Sequence, residues 1–409
     1  MKPLCRLPWH GLFLSPDGRQ LPCCTFKSQS YGEINSQQIL KSVQIDFLNN
    51  KIPSGCKSCL AKEKRLGRSL RTQFDQHLIM QRQTHPKNYQ FLDDFKYTES
   101  SPYLLQIDIS DSTNCNLKCR FCGSHASNQW ENDQNELAET HPKLFKKSTK
   151  NLFAKMTTSE VLSLIEQNPN LYHFQFRGGE PFLNPKLKPI LQRLIELDRQ
   201  DQCIIDITTN GTWVPQWFFD IIPLFSWVNI NISLEGTGQT YQYLRGGKFD
   251  LERDIKPNLQ KLFELKNGFF CFHVLLSAFN IFEIIPTYEW IQSLKLQKNF
   301  KWQLGLVQAP KALSLYNLPL QFRQQAANLI PTGEDPILDQ ARALLLVQGT
   351  GNLHDFFEYV QALDQKQGGD FLVTFPYFKD LLESFNQSSD LNGKEEPPSA
   401  PLTASFPNR

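Results

Sequence analysis

Short apolar runs alternate with amphipathic segments through the middle of the chain. From about residue 103, six runs rich in β-branched and aromatic residues are typical of strands. Between them lie segments with apolar positions three and four residues apart, the spacing of helices. The predicted strands cover 103–110, 172–179, 203–211, 227–236, 269–279 and 301–308. The predicted helices cover 158–167, 189–200, 215–225, 254–265 and 286–296.

This alternation predicts an α/β fold. Strands joined through helices form a parallel sheet with right-handed crossovers. Six strands with intervening helices suit a partial barrel as well as an open, doubly wound sheet. Periodicity does not choose between these two architectures.

The regions on either side of the alternating segment have other patterns. Residues 66–102 are basic and then polar and aromatic, which is typical of a helical connector, and residues 311–385 have the apolar spacing of helices. Residues 386–409 have too little apolar surface to offset the entropy lost on ordering, so we predict a disordered tail. The predicted organisation is completed by a cysteine-rich module over 1–65 and an α/β domain over 103–310.

Composition narrows the class of protein. A chain of 409 residues with 40% hydrophobic content can form a barrel-sized enzyme with an accessory module. Its net charge of +2 gives no electrostatic reason to expect nucleic acid or an anionic membrane as a partner. No stretch approaches the ~20 apolar residues that span a bilayer, so we expect a cytoplasmic protein. Ten cysteines, mostly two or three residues apart in a large chain, indicate metal binding rather than disulfides.

The first predicted strand is followed by the segment CNLKCRFC. It places Cys115, Cys119 and Cys122 at the spacing C-x3-C-x2-C. Three thiolates on one loop can hold three irons of a 4Fe-4S cluster and leave the fourth iron open. The alternative is a structural zinc site, since His125 lies three residues beyond Cys122 and could complete a set of three cysteines and one histidine.

The second predicted strand ends in the segment RGGEP, residues 177–181. Two glycines let the backbone approach a ligand closely, and an acidic side chain can meet an ammonium group. Taken alone, the segment suits an ordinary turn with a solvated glutamate better. However, both this segment and the cysteine loop follow successive parallel strands, and barrel enzymes build their active sites on that face.

These two segments resemble the radical S-adenosylmethionine (SAM) superfamily. The family's first strand is followed by C-x3-C-x-aromatic-C, matched here by residues 115–122, and its second strand ends in a GGE that binds the SAM amino group, matched by Gly178, Gly179 and Glu180. The resemblance runs from about Tyr103 to Pro310 and implies a partial (β/α)6 barrel. It also implies that SAM occupies the open iron, accepts one electron and splits into methionine and a 5′-deoxyadenosyl radical.

Further positions match the family less specifically. The resemblance implies that Thr208 and Asn210 after the third strand, and Ser233 at the end of the fourth, hold the ribose and carboxylate of SAM. Arg245 matches an arginine that pairs with the SAM carboxylate in the peptide-modifying branch, and Phe121 would pack beside the adenine. Each of these residues also suits an ordinary role as a helix cap, a turn, a surface charge or part of the core.

Four cysteines near the N-terminus form a second group. Cys5 is followed by twelve residues, Gly18, four residues and Cys23, and Cys56 and Cys59 form a C-x2-C pair. Four thiolates from two hairpin-like pieces make a closed site that holds zinc or an iron-sulfur cluster. Ligand chemistry by itself slightly favours zinc, because closed four-cysteine sites on short turns are often structural.

The N-terminal spacing resembles half of the motif of SPASM and twitch modules, which bind auxiliary 4Fe-4S clusters. The remaining cysteines of a full SPASM module are absent, so the resemblance implies one auxiliary cluster. The module also precedes the barrel here, whereas it usually follows it. Cys24 is a spare that could replace Cys23 as a ligand, and Cys203 and Cys271 in predicted strands are expected to be buried, inert thiols.

The resemblance implies a SAM-cleaving oxidoreductase or peptide-modifying enzyme that abstracts hydrogen from a peptide or small-molecule substrate. It also implies a low-potential electron donor such as flavodoxin or ferredoxin. Dehydrogenation of a sugar-like alcohol is the alternative among enzymes. A zinc-stabilised, non-catalytic binding protein is the alternative from another class. No Ser-His-Asp or paired-carboxylate set in the sequence predicts a catalytic acid or base.

Overall fold

The computed structural model describes most of the chain. The described residues are 4–31, 35–67, 69–84, 89–93, 95–98, 103–148, 153–296, 300–307, 309–349 and 351–391. Within these ranges, no helix combines the length and the apolar character that crossing a membrane requires.

One sheet of eight strands organises the described residues. The order of strands across it is β2-β1-β3-β4-β5-β6-β7-β8, and neighbours are parallel except for the antiparallel pair β1 and β2. The six predicted strands are all present, as β3 to β8, and the α/β fold class with a partial barrel is confirmed. The strands are β1 Gly11–Leu14, β2 Gln20–Leu21, β3 Gln106–Ile109, β4 His173–Phe176, β5 Ile204–Thr209, β6 Trp227–Ser233, β7 Gly268–Leu276 and β8 Phe300–Leu306.

Helices connect the parallel strands and continue beyond the sheet. Local sequence fixes where the helix Thr158–Gln167 begins. The Thr157 side chain caps this helix, and the Glu160 side chain accepts a hydrogen bond from the Thr157 backbone. The helices are α1 Leu7–His10, α2 Ser36–Leu48, α3 Lys57–Leu66, α4 Leu70–Thr84, α5 Glu131–Thr140, α6 Thr158–Gln167, α7 Leu187–Glu196, α8 Gln216–Ile221, α9 Gly238–Arg245, α10 Lys256–Phe263, α11 Ile284–Ser293, α12 Leu320–Asn328, α13 Pro336–Leu346, α14 Leu353–Gln367, α15 Phe371–Thr374 and α16 Lys379–Leu391.

The two faces of the sheet differ in chemistry because side chains alternate along each strand. One face, which includes Ile107, Phe174 and Ile205, packs with the helices into the main apolar core. The opposite face, which we call the inner face, is polar. Closed barrels fill this space with branched apolar side chains, so a polar inner face indicates a surface for binding. Side chains of the inner face include Asp108, Gln175, Asp206, Asn229, Asn231, His273 and Gln303.

The cysteine-rich N-terminal region extends the sheet, which the sequence does not predict. β1 lies parallel to β3, with Gly11 beside Gln106 and Leu14 beside Ile109. Gly18 forms the turn between β1 and β2 at a φ of +88°, and a side chain there would collide with the carbonyl of Phe153. Residue 18 must therefore be glycine, because its backbone has a positive φ and because there is no space for a side chain beside Phe153.

The connector and the C-terminal region are helical, in agreement with the sequence pattern. Phe74 and Leu78 of α4 pack with Leu105 and Tyr172 at the starts of β3 and β4. Helix α16 ends at Leu391, six residues into the stretch that the sequence predicts to be disordered. Residues 392–409 of that predicted tail lie outside the described residues.

Candidate active site

The loop after β3 carries three of the predicted metal ligands. Cys119 is buried, whereas Cys115 and Cys122 are partly exposed. The Trp130 indole N–H donates to the Cys119 carbonyl (3.0 Å), and Ser127 Oγ donates to the Leu117 carbonyl (2.7 Å). These side-chain bonds to backbone carbonyls hold the loop in one conformation. Burial is the main reason that the pKa of the Cys122 thiol is raised to about 11.

The turn after β4 packs directly against this loop. Gly178 and Gly179 have φ values of +73° and +57°, which favour glycine. A side chain at Gly178 would meet the carbonyl of Ser110, and one at Gly179 would meet the carbonyl of Asn114. The Glu180 backbone N–H donates to that same Asn114 carbonyl at 2.7 Å. The two glycines therefore let the GGE turn contact the cysteine loop backbone to backbone.

Glu180 is a buried carboxylate held by the end of β5. The Thr209 hydroxyl donates to its Oε1 (2.7 Å), and the Asn210 backbone N–H donates to its Oε2 (2.8 Å). Burial raises the pKa of the Glu180 carboxyl to about 7, and these hydrogen bonds act in the opposite direction. The hydroxyl that contacts Glu180 belongs to Thr209, which no motif in the sequence indicated.

The remaining residues predicted to contact SAM lie around this turn in different settings. The Asn210 side chain donates to Asn116 Oδ1 of the cysteine loop (3.0 Å) and lies 4.0 Å from Cys115 Sγ. Thr208 pairs with Asn231 on the inner face, and Ser233 is the last residue of β6. The structure thus brings Asn210 to the cysteine loop and leaves Thr208 and Ser233 on the neighbouring strands.

Arg245 brings a buried positive charge from α9 to the cysteine loop. It is buried at the end of α9, its Nη1 lies 3.7 Å from Cys119 Sγ, and its guanidinium carbon lies 5.3 Å from the centre of the Phe121 ring. It also forms a buried ion pair with Glu235. Burial raises the pKa of the Glu235 carboxyl, and Arg245 acts against that increase. Sequence reasoning missed Glu235, although it lies in the segment NISLEG that carries Ser233.

The cysteine loop is also held from outside the α/β domain. Arg120, between two of the predicted ligands, is buried; its Nη1 lies 2.8 Å from Asp364 Oδ1 of α14 and its Nε donates to the Tyr243 carbonyl (2.9 Å). The Tyr359 hydroxyl donates to the Arg120 carbonyl (2.9 Å). Nothing in the sequence pattern of α14 indicated this contact, because the partners are more than 200 residues apart.

The four N-terminal cysteines line one cavity. Cys5, Cys23, Cys56 and Cys59 share it mainly with apolar side chains such as Phe26 and Phe47. Burial is the main reason that the pKa of the Cys56 thiol is raised to about 12, and the neighbouring cysteines add to that increase. The structure therefore brings together all four residues that the sequence grouped.

Cys24 does not line that cavity. Its sulfur lies 3.7 Å from Arg177 Nη1, the guanidinium nitrogen of the residue before the GGE turn. Of the two adjacent cysteines, Cys23 is the one beside the other three thiols. Cys203 and Cys271 are both buried, as predicted.

The spacing of the sulfurs bears on which metal centre they fit. Among the described residues, no three cysteine sulfurs lie within 4.8 Å of one another. Zn–S bonds of about 2.3 Å put the sulfurs around one tetrahedral zinc about 3.8 Å apart. A cluster distributes its thiolates over several irons and so accommodates wider spacing. The two kinds of metal centre therefore require different sulfur spacings.

Comparisons with known proteins give one family. The model of the radical SAM superfamily matches residues 109–291, which include the cysteine loop, the GGE turn and Arg245. No curated protein sequence matches the chain.

Several solved structures are similar over part of their length. The structure of anSMEcpe with bound AdoMet is 17% identical, with a TM-score of 0.40, and the alignment covers 55% of this chain and 59% of that chain. SuiB of Streptococcus suis bound to precursor peptide SuiA is 13% identical, with a TM-score of 0.38 and coverage of 83% and 73%. TYW1 with a lysine-pyruvate adduct bound is 16% identical, with a TM-score of 0.29 and coverage of 55% and 70%. The chain thus spans less than two thirds of the length of anSMEcpe.

Proposed function

Residues 109–291 form a domain of the radical SAM superfamily, and from this we propose that the chain binds SAM at a 4Fe-4S cluster held by Cys115, Cys119 and Cys122. Cluster and SAM together would supply a 5′-deoxyadenosyl radical that takes a hydrogen atom from the substrate. The observation that carries the proposal is that the cysteine loop after β3 meets buried Glu180 in the turn after β4 and buried Arg245 at the end of α9.

The residues around the loop have separate tasks in this proposal. Glu180 would bind the SAM amino group, because it is a buried acceptor fixed by two hydrogen bonds from β5. Arg245 would bind the SAM carboxylate while Glu235 keeps its guanidinium oriented. Asn210 lies beside the loop and can donate to a ligand there, and Phe121 offers an aromatic surface for the adenine. The roles of Thr208 and Ser233 toward the ribose rest on the family resemblance alone.

We further propose an auxiliary 4Fe-4S cluster on Cys5, Cys23, Cys56 and Cys59. Its support is the common cavity of the four thiols, together with the resemblance of their spacing to half of a SPASM or twitch motif. The cavity is mostly apolar, which would limit the access of water to a bound cluster. With four protein ligands the cluster would have no open iron, so it would serve for electron transfer.

For the substrate we propose a peptide that is modified or oxidised, with a low-potential protein such as flavodoxin or ferredoxin as electron donor. The support is Arg245, which matches the peptide-modifying branch of the family. The polar inner face offers hydrogen-bonding groups that suit a peptide, and it would suit a sugar-like small molecule as well.

The first prediction tests SAM cleavage. Anaerobically reconstituted protein given dithionite and SAM should form 5′-deoxyadenosine, measured by chromatography. Cys119→Ala should abolish the product, because a cluster with two protein thiolates is not held in place. Cys203→Ala is the matched control, since this buried cysteine belongs to neither group. Product formation by Cys119→Ala at the wild-type rate would refute the proposed function.

A further inference from the structure

The inner face of the sheet carries its side chains in layers, because neighbouring strands are in register. One layer contains Thr208 of β5, Asn231 of β6, Cys271 of β7 and Lys301 of β8. The register of β3, β4 and β5 continues this layer through Arg177, the first residue after β4, to Ser110, the first residue after β3. Within the layer, uncharged groups therefore separate two positive charges, Arg177 and Lys301.

Arg177 is anchored on one side and accessible on the other. Its Nη2 donates to Gln175 Oε1 at 3.0 Å. Its Nη1 lies 3.6 Å from Asp108 Oδ2, beyond the range of a charge-assisted hydrogen bond, and that oxygen has no hydrogen-bond partner among the described residues. The Arg177 side chain is 38% exposed, against 5% for Asp108. Nη1 also contacts Cys24 Sγ at 3.7 Å, and the remaining N–H groups of the guanidinium are available to a ligand on the inner face.

Lys301 supplies the second positive charge. It is exposed on the edge strand, its Nζ lies 5.3 Å from the centre of the Phe269 ring, and it makes no ion pair with any residue that the structure describes. His273, one layer nearer the ends of the strands, lies near both cations. Burial and the charges of Arg177 and Lys301 lower the pKa of His273 to about 4. The two positive charges therefore act on the same part of the inner face.

The carboxylates of the inner face already have partners, except at Asp108 Oδ2, which faces Arg177 Nη1 at 3.6 Å. Asp206 Oδ2 lies 2.8 Å from His173 Nε2, and its other oxygen accepts a hydrogen bond from Asn229. Asp108 Oδ1 accepts a hydrogen bond from the Ser110 hydroxyl at 2.6 Å. Both acids lie one layer nearer the starts of the strands. Among the described residues, neither the layer of Arg177 nor the next layer toward the ends of the strands contains a carboxylate.

We infer that this layer is a substrate site that binds an oxyanion, a carboxylate or a phosphate, at Arg177, with Lys301 adding positive charge from β8. The inference rests on the proposed function and narrows its substrate to one carrying a negative charge. Arg177 immediately precedes Gly178. The charged group of the substrate would therefore bind next to the GGE turn, on the side toward the starts of the strands. The planar guanidinium matches both oxyanions, and Thr208 and Asn231 can add neutral hydrogen bonds.

Three small probes test this inference on the full chain, reconstituted anaerobically and loaded with SAM. They are N-acetylglutamate methylamide, its neutral analogue N-acetylglutamine methylamide, and inorganic phosphate. Isothermal titration calorimetry should detect binding of at least one anion and no binding of the neutral analogue at the same concentrations. Binding of the glutamate probe identifies a carboxylate, and binding of phosphate alone identifies a phosphate group. Equal binding of the glutamate and glutamine probes overturns the inference, as does failure of both anions to bind.

Variants locate the site. Arg177→Gln should weaken binding of the anion by at least about tenfold and Lys301→Gln by about three- to tenfold, since each removes a charged donor. Arg253→Gln removes a positive charge from a side chain that is 72% exposed and pairs with Asp254, so anion affinity should be unchanged. Wild-type affinity in Arg177→Gln would overturn the assignment.

Arg177→Gln leaves the buried Asp108 carboxylate without the guanidinium that faces it. A second variant therefore separates loss of anion binding from loss of the folded structure. Arg177→Gln combined with Asp108→Asn removes both charges and should still lose anion binding, whereas Asp108→Asn alone should retain it. Formation of 5′-deoxyadenosine is measured on the same wild-type preparation. Anion binding that is absent while SAM is cleaved refutes this inference and leaves the proposed function standing. Absent SAM cleavage refutes the proposed function instead.

Discussion

Glu180 illustrates how a single side chain is prepared by its surroundings. One carboxylate oxygen accepts a hydrogen bond from the hydroxyl of Thr209, the last residue of β5. The other accepts one from the backbone N–H of Asn210, the residue after β5. Only 1% of the residue is exposed, and burial raises the pKa of its carboxyl to about 7. A buried acceptor of this kind gains a strong interaction when a positively charged or N–H-rich group binds beside it.

Glu180→Ala should therefore weaken SAM binding by roughly 1.5 to 3 kcal/mol, the range for a hydrogen bond to a charged group. Glu180→Gln, which keeps an acceptor oxygen without the charge, should lose less. The dissociation constants are measured calorimetrically on cluster-replete protein. Glu196→Ala, on the exposed side of α7, serves as the control and should bind SAM as the wild type does. Equal dissociation constants for Glu180→Ala and the control would return Glu180 to a purely structural role.

At the scale of elements, the cysteine loop depends on helices that follow the sheet. Arg120 contacts Asp364 of α14 and stacks its guanidinium carbon 3.7 Å from the centre of the Tyr243 ring in α9. Tyr359 of α14 bonds to the backbone carbonyl of the same arginine. The C-terminal helices thus fix the conformation of a loop that would otherwise present its backbone to solvent.

Arg120→Ala should lower the free energy of unfolding by about 3 kcal/mol or more, because it leaves the Asp364 carboxylate without its buried partner. Tyr359→Phe removes one hydrogen bond and should cost about 1 kcal/mol. Urea denaturation of the metal-free chain measures both values. Arg253→Ala, at an exposed arginine, should change stability little. An Arg120→Ala variant as stable as this control would show that α14 does not hold the loop.

At the scale of the whole molecule, the N-terminal region and the α/β domain share one sheet. Cys23 lines the four-cysteine cavity, while the adjacent Cys24 contacts Arg177 on the inner face. β1 lies beside β3, the strand that leads into the cysteine loop. The two cysteine groups are therefore parts of one packed unit. The metal centre of each group is tested separately by substituting only the cysteines of that group.

Cys56→Ala combined with Cys59→Ala should lower the iron content of the reconstituted protein from about eight to about four per chain, one cubane cluster being lost. SAM cleavage should persist in part, because the barrel cysteines lie on another loop. Metal analysis and the melting temperature are measured together. Cys203→Ala with Cys271→Ala is the matched control and should keep the full iron content.

A structural zinc would give a different result in the same double variant. Zinc would be lost, iron would stay at the wild-type level, and the melting temperature would fall because closed zinc sites contribute folding free energy. That outcome would refute the auxiliary cluster and leave SAM cleavage at the barrel site untouched.

Much of the fold and part of the site followed from the sequence because their signals are local. The alternation of apolar runs with helical spacing predicts β3 to β8, since strand and helix periodicities are read over ten or so residues. The cysteine loop and the GGE turn were recognisable because each is a short, contiguous segment after a strand. The four N-terminal cysteines could be grouped because paired spacings of cysteine are a local pattern, and the structure places them around one cavity.

Only the tertiary structure decided how distant segments meet. It added β1 beside β3, selected Cys23 rather than Cys24 for the cavity, and paired Arg120 with Asp364. It also showed that Thr209 is a partner of Glu180, because the direction of a side chain depends on the pleat and the curvature at the strand end. These contacts join residues far apart in the chain, and no periodicity or spacing encodes them. They are fixed by the packing of the whole sheet and its helices.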